Sequence, residues 1–223
     1  MRIYHGSTVI IKEPILKRGK VNNDYGQGFY CTQNIELAKE WACKDNDDGY
    51  VNIYDLDLSN LKVLDLTTDN HYVIEWISIL IQHRAFETKG QIAQLAKEYI
   101  LSHFYINTSD YDVIIGYRAD DSYFTYAQAF LNNTLSLESL KNAMKLGDLG
   151  TQVAVLTDKA IKQLKYIGNE TADKNKYYEK YKNRDFKARS DFYEKVMKNT
   201  NIATDTFVVD IVRKEMSLDE LRI

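Results

Sequence analysis

The chain has 223 residues, is 44% hydrophobic and carries a net charge of −3, which fits one core-forming domain or one domain with an appendage. That charge excludes a partner recruited by overall charge alone, whether nucleic acid or membrane. The two cysteines, Cys31 and Cys43, have neither metal nor redox spacing, and their scarcity fits a reducing compartment. The opening MRIYHGSTVI does not read as a signal peptide, and no apolar run reaches the roughly 18 residues needed to cross a bilayer. The expectation is a soluble, cytoplasmic protein with no membrane partner.

In chain order, Arg2 to Ser7 reads as a short strand running into Gly6-Ser7. His5 at its end is open to two readings, a surface histidine or a ligand contact. Residues from Pro14, the only proline, to Asn23 form a polar link. The stretch from Asp24 to Ala42, DYGQGFYCTQNIELAKEWA, organises the rest. It makes a Gly26-Gln27-Gly28 turn, then a β-type run from Phe29 to Thr32, then a helix with Asn34 as N-cap and Glu36 in its first turn. Leu37, Ala38, Trp41 and Ala42 form the apolar stripe of that helix. Glycines before a strand imply close backbone approach, to a ligand or to another chain segment. They precede the strand instead of following it and lack a third glycine, which excludes a dinucleotide-binding Rossmann turn, and no Walker-type Gly-Lys-Ser/Thr is present.

Tyr50 to Leu58 and Leu61 to Leu66 alternate as strands. Helices follow at 72–84, with the stripe Val73, Trp76, Ile77, Leu80 and Ile81, and at 91–105, with Ile92, Leu95, Ala96, Tyr99, Ile100 and Phe104. Tyr111 to Arg118 is a buried-type strand ending in Ala119-Asp120-Asp121-Ser122. These two carboxylates are open to catalysis, metal binding or capping of a helix near Thr125. Ser136 caps a helix closed by Gly147. Gly150 to Thr157 is another strand, and Asp158 to Leu164 a short helix. His71, His83 and His103 read as ordinary helix residues, and the histidines show no metal spacing.

From 169 the composition shifts. Residues 174–198 carry nine basic and four acidic side chains, interleaved with six aromatics. The segment reads either as an amphipathic helix packing its aromatics on the domain or as a surface that tracks a phosphate backbone and stacks bases. Thr206 to Arg213 is a strand or a helix start, and Met216 to Leu221 a short closing helix capped by Ser217. The expected division is a domain over 1–168 and an extension over 169–223.

Tyr4-His5-Gly6-Ser7, then Tyr25-Gly26-Gln27-Gly28-Phe29-Tyr30, then Ala38 and Trp41, together resemble the ADP-ribosyltransferase superfamily, in its poly-ADP-ribose-polymerase-like, diphtheria-toxin-like branch. Ile114-Ile115-Gly116, Ala119-Asp120-Asp121, Gln152-Val153-Ala154-Val155, Ala160 and Leu164 extend the likeness to a bacterial family of unknown function in that superfamily, the DUF3990 proteins. The resemblance covers roughly 2–167. It implies an α+β fold with a split β-core of two small, mostly antiparallel sheets, flanking helices, and NAD in the cleft between the sheets.

The resemblance also implies roles. Gly6 grips the nicotinamide carboxamide through its backbone, Tyr30 and Trp41 sandwich the ring, and His5 bonds the adenosine ribose. Gly28 belongs to the same NAD-binding set, with Ser7 and Thr32 as weaker polar contacts. Ala38 stands where many relatives have a serine. Gln152 stands where a glutamate is expected to accept from the ribose 2′-hydroxyl and stabilise the developing cation. A glutamine keeps the hydrogen bond but not the charge, which argues against polymer elongation and raises the question whether Asp120 or Asp121 supplies the charge. The implied activity is mono-ADP-ribosyl transfer from NAD to a protein or nucleic acid, as in a toxin or defence effector, with a neutralising antitoxin among the expected partners and no metal. The alternatives are an inactive binding module of the same fold and an NAD glycohydrolase.

Overall fold

A computed structural model describes every residue except 17–18, 69, 120, 145, 147–149 and 222–223. The fold is α+β, built on one seven-stranded sheet. The strands are β1 (Arg2–Ser7), β2 (Phe29–Thr32), β3 (Gly49–Leu56), β4 (Val63–Asp65), β5 (Val113–Tyr117), β6 (Thr151–Val155) and β7 (Leu164–Ala172). Their order across the sheet is β4-β5-β6-β2-β1-β3-β7. Every pair is antiparallel except β4 with β5.

The expectation of two sheets is therefore corrected, and the reason lies in β2. This four-residue strand pairs along its whole length with β6, from Phe29↔Val155 to Thr32↔Gln152. On its other side it meets β1 through the single register pair Tyr4↔Thr32. That pair joins the β1-β3-β7 ladder to the β2-β6-β5-β4 ladder. Past it, the link between β1 and β2 is a side chain, with His5 Nδ1 bonded to the Tyr30 carbonyl at 2.7 Å.

The two faces of the sheet bury separate cores because strand side chains alternate. Ile3, Phe29, Cys31, Tyr54, Val113, Ile115, Val153 and Val155 pack on one side. Ile114 and Ala154 point to the other, where the helices lie. The helices are α1 (Ile35–Ala42), α2 (Val73–His83), α3 (Gly90–His103), α4 (Asp121–Leu131), α5 (Leu137–Ala143), α6 (Asp158–Ile161), α7 (Lys174–Asp191) and α8 (Val208–Arg213). Asn34 caps α1 by accepting from the Glu36 and Leu37 N–H groups, and Ser136 caps α5. α2 is buried nearly all round, including Ile74 and Ile79 outside its expected stripe. On α3 the buried side chains are Ala93, Ala96 and Ile100, whereas Ile92 and Leu95 are exposed. Small residues let α3 lie close to its neighbours, which displaces the predicted stripe from the contact line.

Three further expectations are refined. β7 occupies 164–172, where sequence reasoning placed the end of a helix and then a change of composition. It is an edge strand paired with β3 alone, with few buried positions, so its alternation is faint. The segment 206–213 resolves as helix. The proposed close of α5 at Gly147 lies outside the described residues. The basic segment forms α7 and continues through a π-turn at Phe192–Val196. Its charges are engaged: Lys180, Lys182, Arg184, Lys187, Arg189, Lys195 and Lys198 all pair with carboxylates. Lys174 donates to the Asn46 carbonyl, and Lys176 lies over the Tyr177 ring. The charge pairing speaks against a phosphate-tracking surface, but the packed reading holds only in part: of the six aromatics Tyr177 is buried, whereas Phe186 and Tyr193 are exposed.

Candidate functional site

A cavity of about 770 Å³ opens where β1 and β2 part. His5, Gly6, Gly28, Tyr30, Trp41 and Gln152 all line it, so one cleft gathers residues from three separated stretches of chain. Two residues named with them do not line it. Ser7 Oγ accepts from the Val9 N–H, and buried Thr32 donates to the Thr151 carbonyl. Asp120 and the side chain of Asp121 lie outside the described residues.

Each glycine has a packing reason. A Cβ on Gly6 would sit 2.2 Å from the Ala38 carbonyl and 2.7 Å from the Ala42 nitrogen, so its absence lets β1 lie against α1. A Cβ on Gly28 would sit 2.7 Å from Leu156 Cδ2. Gly26 has φ +82° and lies under the His83 ring. The close approach read from these glycines is thus made to other chain segments. Ala38 is fully buried, with its carbonyl against Gly6.

The Tyr30 hydroxyl donates to the Gly26 carbonyl at 2.6 Å and accepts from the Tyr25 N–H at 3.1 Å. It therefore pins the glycine turn, and burial pushes its pKa well up, which removes it as a base at neutral pH. His5 stacks on Phe29 with ring centroids 4.2 Å apart. Its Nδ1 faces a carbonyl oxygen and so carries the proton, leaving Nε2 as the acceptor in the neutral ring. Desolvation lowers the His5 pKa, favouring that neutral form. The Arg118 guanidinium lies 4.5 Å from the centre of the Trp41 ring.

Gln152 is buried, and its Nε2 donates to Asp24 Oδ2 at 2.7 Å and to the Tyr117 carbonyl at 3.1 Å. Asp24 was not anticipated. In the run Asn22-Asn23-Asp24 it reads as one more polar turn residue, and nothing local marks it. It is 5% exposed, and Oδ2 also accepts from the Ala119 N–H at 2.8 Å. Oδ1 accepts from Arg84 at 2.8 Å. Desolvation raises its pKa, opposed by the bonds from Gln152 and Ala119 and by the charges of Arg84 and Arg118. The Tyr117 carbonyl also receives the Tyr25 hydroxyl and the Trp76 indole N–H, so three donors, Gln152 among them, converge on it.

Sequence reasoning also missed Arg84, Arg118, Lys20, Lys44 and Tyr181, all of which line the cleft. Arg84, Arg118, Lys20 and Lys44 come from loops and a helix end, positions that give no periodic signal, whereas Tyr181 lies in the middle of α7. Residues 9–11 form one wall and are tied to β3, with Asn52 bonding the Ile11 N–H and the Val9 carbonyl, and Tyr54 bonding the Ile11 carbonyl. α7 docks on α1 through Arg184 and Glu40, Tyr177 and Glu36, and Lys180 and Glu36, which brings Tyr181 to the cleft.

Fold and site together define an α+β protein with a cleft of mixed apolar, aromatic and charged walls at the narrowest join of its sheet. Over residues 1–166 the chain matches the family described as Protein of unknown function (DUF3990), and it belongs to that family. No curated protein and no solved structure matches it. Among the described residues, no helix is long and apolar enough to cross a membrane, and no group of three or more His, Cys, Asp or Glu side chains is placed to hold a metal ion.

Proposed function

We propose that the chain is an NAD-dependent mono-ADP-ribosyltransferase that uses this cleft. The observation that carries the reading is the convergence of His5, Gly6, Tyr30, Trp41 and Gln152 on one cavity. Its volume falls in the range of small-molecule sites, roughly 300–1,000 Å³. Lys20, Lys44, Arg84 and Arg118 on its walls outnumber the acids Glu13 and Asp24, which suits a diphosphate. The Tyr30 and Trp41 rings offer flat apolar surface for nicotinamide. Arg118 covers one face of Trp41, so a ring stacked on that face has to displace the guanidinium.

In the reaction the bond between nicotinamide nitrogen and ribose C1′ breaks and its electron pair leaves with the neutral ring. Positive charge develops on the ribose. An acceptor nucleophile then attacks C1′ and gives up its proton. In this reading Gln152 accepts from a ribose hydroxyl, and the neutral His5 bonds the other ribose through Nε2. Binding that is tighter for the cationic ribose than for NAD itself supplies the acceleration. A protein or nucleic-acid acceptor fits the reading equally, and the charge pairing along α7 removes the main reason to prefer nucleic acid.

The test is incubation with NAD, with and without cell lysate, following free nicotinamide and ADP-ribose attached to macromolecules. The expected result is nicotinamide release that Tyr30→Ala lowers at least about a hundredfold, as loss of a positioning group in a preorganised site does. Free ADP-ribose as the sole product points to glycohydrolysis, and no release under either condition contradicts the reading and leaves a binding module.

A further inference from the structure

Gln152 poses a problem for any cation-forming reaction, because a carboxamide can present either its oxygen or its N–H₂ group to a ligand. The structure resolves which. Both groups facing the amide nitrogen, Asp24 Oδ2 and the Tyr117 carbonyl, are pure acceptors. The nitrogen must point at them, and both its hydrogens are used. The amide oxygen is thereby turned away from them, on a side chain that lines the cleft. Tyr117 alone does not secure this, since its carbonyl already receives Tyr25 and Trp76. The shorter contact comes from Asp24, itself fixed by Ala119 and Arg84.

We infer that Asp24 is a positioning residue of the NAD site, holding the Gln152 carboxamide so that it offers a ribose hydroxyl only an acceptor, as a carboxylate would. The inference rests on the NAD reading above. It also assigns the carboxylate behind Gln152 to the loop before β2. Three donors converge on the two oxygens of Asp24, so an asparagine there leaves at least one of them facing an N–H₂ group. A glutamate at 152 places a second carboxylate against Asp24 and the Tyr117 carbonyl, where like charges oppose ionisation.

The experiment is steady-state nicotinamide release over a range of NAD concentrations for the wild type, Asp24→Asn, Gln152→Glu and the double variant, with thermal melts to establish folding. Asp24→Asn is expected to lower kcat about tenfold or more while KM changes about threefold or less, the signature of an interaction realised in the transition state. Gln152→Glu is expected to lower kcat as well, although it installs the more negative side chain. Adding Asp24→Asn to Gln152→Glu is expected to raise kcat, reversing the sign of the first effect. A purely structural Asp24 predicts losses in the melts with no such reversal. Asp24→Asn within twofold of wild type, or a gain in kcat from Gln152→Glu alone, overturns the inference and leaves the NAD reading standing. Absence of release by the wild type overturns both. Should Asp24→Asn not fold, the Gln152→Glu arm still decides.

Discussion

Gly6→Ala lowers the unfolding free energy by about 3 kcal/mol or more, the upper range for overpacking a buried position. The added methyl meets backbone, with the Ala38 carbonyl at 2.2 Å and the Ala42 nitrogen at 2.7 Å. Neither can rotate away as a side chain would. Relief requires moving α1 off β1, but β1 is paired to β3 over six residues and α1 is clamped from its other side by α7. Because Trp41 sits on α1, the same movement displaces one wall of the cleft. Chemical denaturation, with circular dichroism as the probe, checks the value. Gly168→Ala is the control: its Cβ has nothing within 4 Å and its φ lies outside the glycine-favouring range, so it is expected to be neutral or to stabilise by up to about 1 kcal/mol through the unfolded state. Equal effects at the two positions would contradict the packing explanation.

Arg184→Ala is expected to cost about 2–4 kcal/mol, because removing one partner of a buried ion pair leaves the other charge uncompensated. Arg184 meets Glu40 with two parallel bonds, Nε to Oε2 at 2.9 Å and a terminal nitrogen to Oε1 at 2.7 Å. The Glu40 side chain is only 2% exposed. Lys180 and Glu36 make a pair of similar length that is nearly half exposed on both sides, and Lys180→Ala is expected to cost under about 1 kcal/mol. The same denaturation experiment distinguishes them. Arg184→Ala also loosens α7 against α1, where Tyr177 and Lys180 still bond Glu36, so proteolysis within 174–198 should accelerate. A cost no larger than that of Lys180→Ala would show that α7 is held by aromatic contacts, its own Tyr177 and, just beyond its end, Phe192 stacked on Tyr126 of α4 with rings 3.9 Å apart.

Much of the fold was legible because it follows local rules. Asn34 and Ser136 announce helix starts through their side-chain oxygens. Val113-Ile114-Ile115 reads as a strand buried on both faces, which β5 is. β7 escaped because an edge strand buries few of its residues. The single sheet escaped because one register pair at Tyr4 and Thr32 decides between one sheet and two, and sequence periodicity carries no information about such a join. In the cleft, the residues expected from short motifs, His5, Gly6, Gly28, Tyr30, Trp41 and Gln152, were gathered together. Asp24 and Arg84 were invisible because their importance comes from a contact across 60 residues of chain. The glycines were legible as points of close approach, but their partner is the chain itself.

The most direct measurement of whether the cleft is where NAD binds uses the protein's two tryptophans. Trp76 is 1% exposed and bonded to the Tyr117 carbonyl, whereas Trp41 lines the cavity. Titration with NAD, read by tryptophan fluorescence, is predicted to give a saturable change in the wild type that disappears in Trp41→Phe. A saturable change that survives in Trp41→Phe, or none in the wild type at millimolar NAD, would contradict the assignment of this cleft to NAD.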